Sequence, residues 1–153
     1  MESEGKLLEE LRFYGHQNVL ANHYNTLEIT MDEEISKRAD CIIGVRANKG
    51  CQQLDQNLKD HIRKSGWLRF ELEVDGIQFE FVGKGESALD LSDPREIVLR
   101  KSNYVSSRTA AVHCSVAARD VPRQIVRSLQ NPDTVGKLRI LKLPSPQANR
   151  VSY

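Results

Sequence analysis

The chain reads as a mostly β, α+β protein. The expected architecture is a duplicated β-β-β-α-β unit, folded into a sandwich or distorted barrel with two helices. Three observations lead there. Gly15-His16-Gln17-Asn18-Val19 precedes a strand-like Thr26-Leu27-Glu28-Ile29, and Gly85-Glu86-Ser87-Ala88-Leu89 precedes Glu96-Ile97-Val98-Leu99, 70 positions on. Leu54, Leu58 and Ile62 recur at helical spacing, as do Val121, Ile125 and Leu129. Residues 67–74 alternate, with Leu68, Phe70, Leu72 and Val74 on one face and Arg69, Glu71 and Glu73 on the other.

A chain of 153 residues with 39% hydrophobic content suits one core. Two units of about 70 residues would each be marginal alone. The expectation is a single domain over residues 1–143, built of two pseudo-repeats at about 11–75 and 77–143. Residues 144–153, with two prolines, read as a disordered tail.

The elements follow in order. Residues 7–14 fit a strand or a short helix, and periodicity leaves both open. Residues 26–31 read as a strand, and the apolar run Cys41-Ile42-Ile43-Gly44-Val45 as a buried one. The Leu54–Ile62 stripe is a helix ended by Ser65-Gly66. Asp75-Gly76 is a hairpin turn that tolerates positive φ, and Ile77, Phe79 and Phe81 continue the alternation beyond it. Residues 96–101 and 109–116 are the next strands. Asp120 is placed to accept the free amides of a second helix, with Pro122 in its first turn and Asn131-Pro132 as its stop. Residues 137–143 form the last strand, and helices cover the openings of the sheet layers.

The net charge of +1 conceals an asymmetry. Residues 1–94 hold 11 Lys/Arg against 18 Asp/Glu, whereas residues 95–153 hold 11 against 3. Either the basic half meets an anionic partner, or the two halves neutralise each other. No run of about 20 apolar residues exists, so no membrane-spanning helix is expected. The acidic Met1-Glu2-Ser3-Glu4 start reads against a secretory leader. Three cysteines, Cys41, Cys51 and Cys114, are an odd number in no metal-like spacing. A reduced, cytoplasmic chain with no metal and no cofactor is the simplest expectation.

Two groups of residues could carry chemistry. His16, Asn18, His23, Asp40 and Cys41 are candidates for a polar ligand pocket, with Glu28 as the alternative carboxylate to Asp40, because imidazole and carboxylate suit ligand binding and acid–base work. The plainer alternative is that each imidazole accepts a backbone hydrogen bond and fixes a turn. A nucleophilic Cys41 would need an adjacent base and a lowered pKa, and a Cys in such a run is more often a small buried hydrophobe. Lys101, Ser102 and Arg108 bracket a loop and suit a phosphate or carboxylate. Arg119, Arg123 and Arg127 recur every four residues, a stripe that could track phosphates or simply face solvent.

The string Phe13-Tyr14-Gly15-His16-Gln17-Asn18-Val19-Leu20-Ala21-Asn22-His23 resembles the opening signature of a conserved archaeal family of unknown function. Asp40-Cys41-Ile42-Ile43-Gly44-Val45, and Arg100-Lys101-Ser102 followed by Arg108-Thr109, are similar to its other two signatures. The resemblance spans roughly residues 11–142 in the right order. It implies a predominantly β, jelly-roll-like fold and no particular activity. The family's second unit also has a Gly-His start and a later His, where this chain has Glu86 and Asp93.

The functional expectation is therefore a binding module for an anionic partner, RNA or a nucleoprotein, contacted by the C-terminal half. One alternative is a small-molecule enzyme with a site around His16, His23 and Asp40. Another is a structural or adaptor protein that self-associates through its charged halves.

Overall fold

The structure is a computed structural model and describes residues 5–144. The tail expected to be disordered lies, apart from Pro144, outside the described residues. The elements are β1 (Lys6–Tyr14), β2 (Thr26–Thr30), β3 (Ile42–Gly44), α1 (Gln56–Arg63), β4 (Trp67–Val74), β5 (Ile77–Lys84), β6 (Glu96–Arg100), β7 (Thr109–Ala111), α2 (Arg123–Ser128) and β8 (Val135–Lys142). Strand, strand, strand, helix, strand is thus the order of β1 to β4, and again of β5 to β8. Among the described residues the fold is mostly β with two helices, and eight strands form two open four-stranded sheets rather than a closed barrel.

The first sheet has the order β1-β8-β4-β5. Each pair is antiparallel, with Leu72 opposite Leu138 at its centre. The alternation of residues 67–74 is realised in full: Leu68, Phe70, Leu72 and Val74 are buried, and the residues between them are half-buried. The turn after β4 has positive φ at both Asp75 (50°) and Gly76 (77°), the twist a two-residue hairpin needs.

The second sheet has the order β3-β2-β6-β7. β2 and β6 pair antiparallel, while β3 and β7 flank them in parallel. β3 and β7 span three residues each, because the chain turns into the left-handed region just beyond, at Arg46 (φ 52°) and His113 (φ 50°). Residues 109–116 are therefore a short strand and a turn.

Both sheets feed one core. Leu11, Phe13, Leu68, Phe70 and Leu72 come from the first, and Leu27, Ile29, Ile97 and Leu99 from the second. Phe13 shows how closely the layers approach. A Cβ on Gly44 of one sheet or on Gly136 of the other would collide with its ring, so two glycines admit one aromatic side chain. Of the apolar residues that the alternation over 67–81 places on one face, Ile77 and Phe79 are only half-buried, since β5 is an edge strand.

Both helices pack their apolar stripes into the core. Leu58 and Ile62 of α1, and Ile125 of α2 with Leu129 just beyond it, are buried. Asp55 caps α1 by accepting from Asn57 N–H at 2.8 Å. Asp120 does not cap α2. It accepts from Ala117 N–H at 2.9 Å and closes a single 3-10 turn at Ala118–Asp120, while Pro122 starts the helix without a side-chain cap.

Candidate functional site

The loops at the two ends of the second sheet hang from matching hydrogen bonds. At one end Lys101 N–H donates to Asn25 O (2.9 Å), His113 N–H to Ser102 O (3.0 Å) and Cys114 N–H to Arg100 O (2.9 Å). At the other, Met31 N–H donates to Arg95 O (2.8 Å), Arg46 N–H to Asp32 O (2.9 Å) and Ala47 N–H to Thr30 O (3.0 Å). These three hydrogen bonds match; the side chains differ in character. Residues 31–34 read Met-Asp-Glu-Glu, and residues 101–104 read Lys-Ser-Asn-Tyr.

The first end joins cations and aromatics. Tyr24 and Tyr104 are each 61% exposed, and Val105 beside Tyr104 is 42% exposed. Tyr24 stacks on His23, ring centroids 5.4 Å apart, and the Arg100 guanidinium lies 4.8 Å from the Tyr104 centroid. Arg119 reaches this end because its N–H donates to His23 O at 3.0 Å. Lys101 is exposed, with Nζ 3.9 Å from Asp120. Ser102 Oγ accepts from Tyr104 N–H at 3.3 Å and so shapes the loop.

The remaining expected cations have different positions. Arg123 donates to the carbonyls of Leu20, Ala21, Ala118, Arg119 and Val121 at 2.8–3.4 Å. Its guanidinium is a cross-link between the two halves. Arg127 is exposed on the same helix and makes no ion pair among the described residues. Arg108 pairs with Glu96 at 2.6 Å and lies 3.7 Å from Glu28. Arg95 likewise meets Asp32 at 2.7 Å, and Arg139 meets Glu73 at 3.0 Å and Glu10 at 3.3 Å. Part of the basic half is thus neutralised by the acidic half.

The histidine candidates divide. His23 Nδ1 accepts from the amides of Asn25 and Thr26 at 3.1 Å each, and His23 N–H donates to Asp40 O at 3.2 Å. His16 lies elsewhere, in the wall of a cavity of about 470 Å³ with Glu33, Glu34, Arg46 and Asp133, which neither His23 nor Asp40 lines. Its Nδ1 accepts from Asn18 N–H at 3.0 Å, so the neutral ring carries its proton on Nε2 and donates to Glu34 at 2.9 Å. Asn18 Nδ2 donates to Ile35 O at 2.9 Å and ties the two loops together. Both imidazoles spend Nδ1 on a turn, which leaves neither ring free at that nitrogen for acid–base work.

Cys41 has a different neighbour from those expected. Its thiol donates to Glu28 Oε1 at 3.4 Å, and burial with the Glu28 charge pushes its pKa up to about 12. It stays a thiol and is no nucleophile at neutral pH. Glu28 itself is buried at 3% exposure. Burial first, then the neighbouring Glu96 charge, raise its pKa from 4.5 to about 7, against the lowering pull of Arg108. Sequence reasoning gave no functional role to Tyr24, Tyr104, Arg100 or Glu96. A mid-strand acid between Leu27 and Ile29 was the visible signal for Glu28. Among the described residues, no group of three or more His, Cys, Asp or Glu could hold a metal ion, and no helix is long and apolar enough to cross a membrane.

Residues 11–142 match the family described as "Domain of unknown function (DUF371)". The chain is also 36% identical over 129 residues to an uncharacterised protein of Methanocaldococcus jannaschii, covering 84% of this chain and 93% of that protein.

Proposed function

The chain belongs to the DUF371 family, and we propose that it is a binding module for an anionic polymer, single-stranded RNA being the partner whose chemistry fits best. The observation that carries this reading is the divergence of residues 101–104 from 31–34 on one shared hydrogen-bond frame. The frame needs no tyrosine or lysine there, since Glu34 and Met31 serve at the matching places. Exposed Tyr24 and Tyr104 beside Arg100, Lys101 and Arg119 combine stacking faces with cations, the pairing that binds single strands with little sequence preference. The reading treats the two halves as copies of one unit, one of whose loop ends became cationic and aromatic and the other acidic. Three unpaired cysteines support a reducing compartment such as the cytoplasm.

The enzyme reading around His16, His23 and Asp40 has less support, because His16 lies apart from the other two and both rings are committed to turns. The test is fluorescence anisotropy of a labelled 20-nucleotide oligouridine in about 50 mM salt, where electrostatic binding is strong. Binding that falls steeply on raising salt to about 200 mM is expected. No binding at the lower salt would end the proposal.

A further inference from the structure

Glu28 on β2 and Glu96 on β6 occupy diagonal positions, since Glu28 faces Val98 and Thr30 faces Glu96. Their side chains share the sheet face turned away from the core, Glu28 at mid-strand and Glu96 at the end where β6 begins, and the 101–108 loop returns to this pair at Arg108. Glu96 and Arg100 approach Glu28 from β6. Cys41 approaches from the segment before β3, with Asp40 next to it. Arg108 approaches from the end of the 101–108 loop. Thr26 and Thr109 are the neutral neighbours. Arg108 donates to Glu96 Oε1 at 2.6 Å and stands 3.7 Å from Glu28 Oε2. Arg100 donates to Thr109 Oγ1 at 2.7 Å and to Ser106 Oγ at 3.2 Å, and it lies against the Tyr104 ring. Two guanidiniums therefore flank the carboxyl pair, and each also holds the loop that presents Tyr104 and Lys101.

We propose that the Glu28–Glu96 pair is a proton-operated clasp on the 101–108 loop, weakening polyanion binding when the shared proton leaves. With the proton in place the pair carries one negative charge, satisfied by Arg108. Without it, a second buried negative charge draws Arg108 and Arg100 onto the sheet and opposes an incoming phosphate. The raised pKa of Glu28, about 7, puts this change in the neutral range. A buried charge is poorly screened, so the effect persists in salt.

The test compares the protein with Glu28→Gln, a neutral isostere that keeps a donor toward Glu96. Oligouridine affinity is measured at pH 6 and pH 8 in one low-salt buffer. A loss of about two- to fivefold at the higher pH is expected, from one added charge at about 10 Å. Glu28→Gln should lose that component. An equal pH dependence in both proteins overturns the clasp. The loop is also followed without ligand, as the amide NMR shifts of residues 101–108 in the unsubstituted protein against pH. A shared midpoint near 7 supports the clasp, and shifts flat between pH 6 and 8 overturn it. That measurement stands even if no oligonucleotide binds, in which case the RNA reading falls by itself.

Discussion

His23 and Asp93 fill the same place in two turns 70 residues apart. His23 Nδ1 accepts from Asn25 and Thr26 N–H at 3.1 Å each, and Asp93 Oδ1 accepts from Arg95 at 2.9 Å and Glu96 at 2.8 Å. In each case β2 or β6 starts directly afterwards. An imidazole lone pair and a carboxylate oxygen are equivalent here, because the turn asks only for an acceptor of its free amides. Glu86 relates to His16 in the same way, accepting from Ala88 N–H at 3.3 Å where His16 accepts from Asn18 N–H at 3.0 Å.

This equivalence sets the first expectation. His23→Asp should keep stability within about 0.5 kcal/mol, the range of a surface change that removes nothing essential. His23→Ala orphans two amides and should cost about 1 kcal/mol, as losing a cap does. Urea titration of both variants decides, and equal costs would mean that the acceptor is not what matters.

Glu28 sets a second. Its pKa is raised on folding, so the folded state holds the proton more tightly than the unfolded one. Its contribution is full below about 4.5 and is lost as pH climbs to about 7. The loss is on the order of 3 kcal/mol for this buried group. Glu28→Gln should flatten the stability profile between pH 5 and 8 and be the more stable protein at pH 8. A variant less stable at every pH would show that the ionised carboxylate is needed.

Arg123 and Arg127 look alike in the sequence and should behave differently. Arg123→Gln strips five carbonyls of a charged donor and should cost about 2 kcal/mol. Arg127→Gln should stay within about 0.5 kcal/mol. Thermal melts at one pH give both numbers, and a neutral Arg123→Gln would make that guanidinium an accessory rather than a cross-link.

The difference between these two arginines also shows where the sequence stops being informative. Amphipathic spacing places both on the outer side of a helix, but only the fold brings Leu20 and Ala21 under one of them. Alternation made β4 legible, because one face of the first sheet meets the core and the other meets solvent. β3 and β7 are buried on both faces, so no alternation marked their ends, and the left-handed Arg46 and His113 that stop them carry no residue signal. The pairing of β1 with β8, across the whole chain, is non-local and invisible to any short window. The same limit hid the carboxyl site: Glu96 and Arg108 lie 68 and 80 positions beyond Glu28. Its strand was plain to read, and its partners were not.

The two tyrosines provide the most direct test of the binding surface. Replacing Tyr24 and Tyr104 by Ala removes two rings that are each 61% exposed, so the fold should lose little. If both rings stack on bases, each substitution should weaken oligouridine binding by about 1–3 kcal/mol, roughly 5- to 150-fold. The salt dependence should remain, because stacking displaces no counterions. Lys101→Gln with Arg119→Gln should do the reverse, lowering affinity and flattening the slope by about 0.7 for each phosphate that is no longer neutralised. Phosphate contacts carry no base information, so oligouridine and oligoadenosine should be affected alike by the cation pair. Anisotropy titrations at three salt concentrations separate the two classes. Tyrosine variants that bind as tightly as the unsubstituted protein would leave a purely electrostatic surface. Cation variants with an unchanged slope would move the polyanion to another face of the molecule.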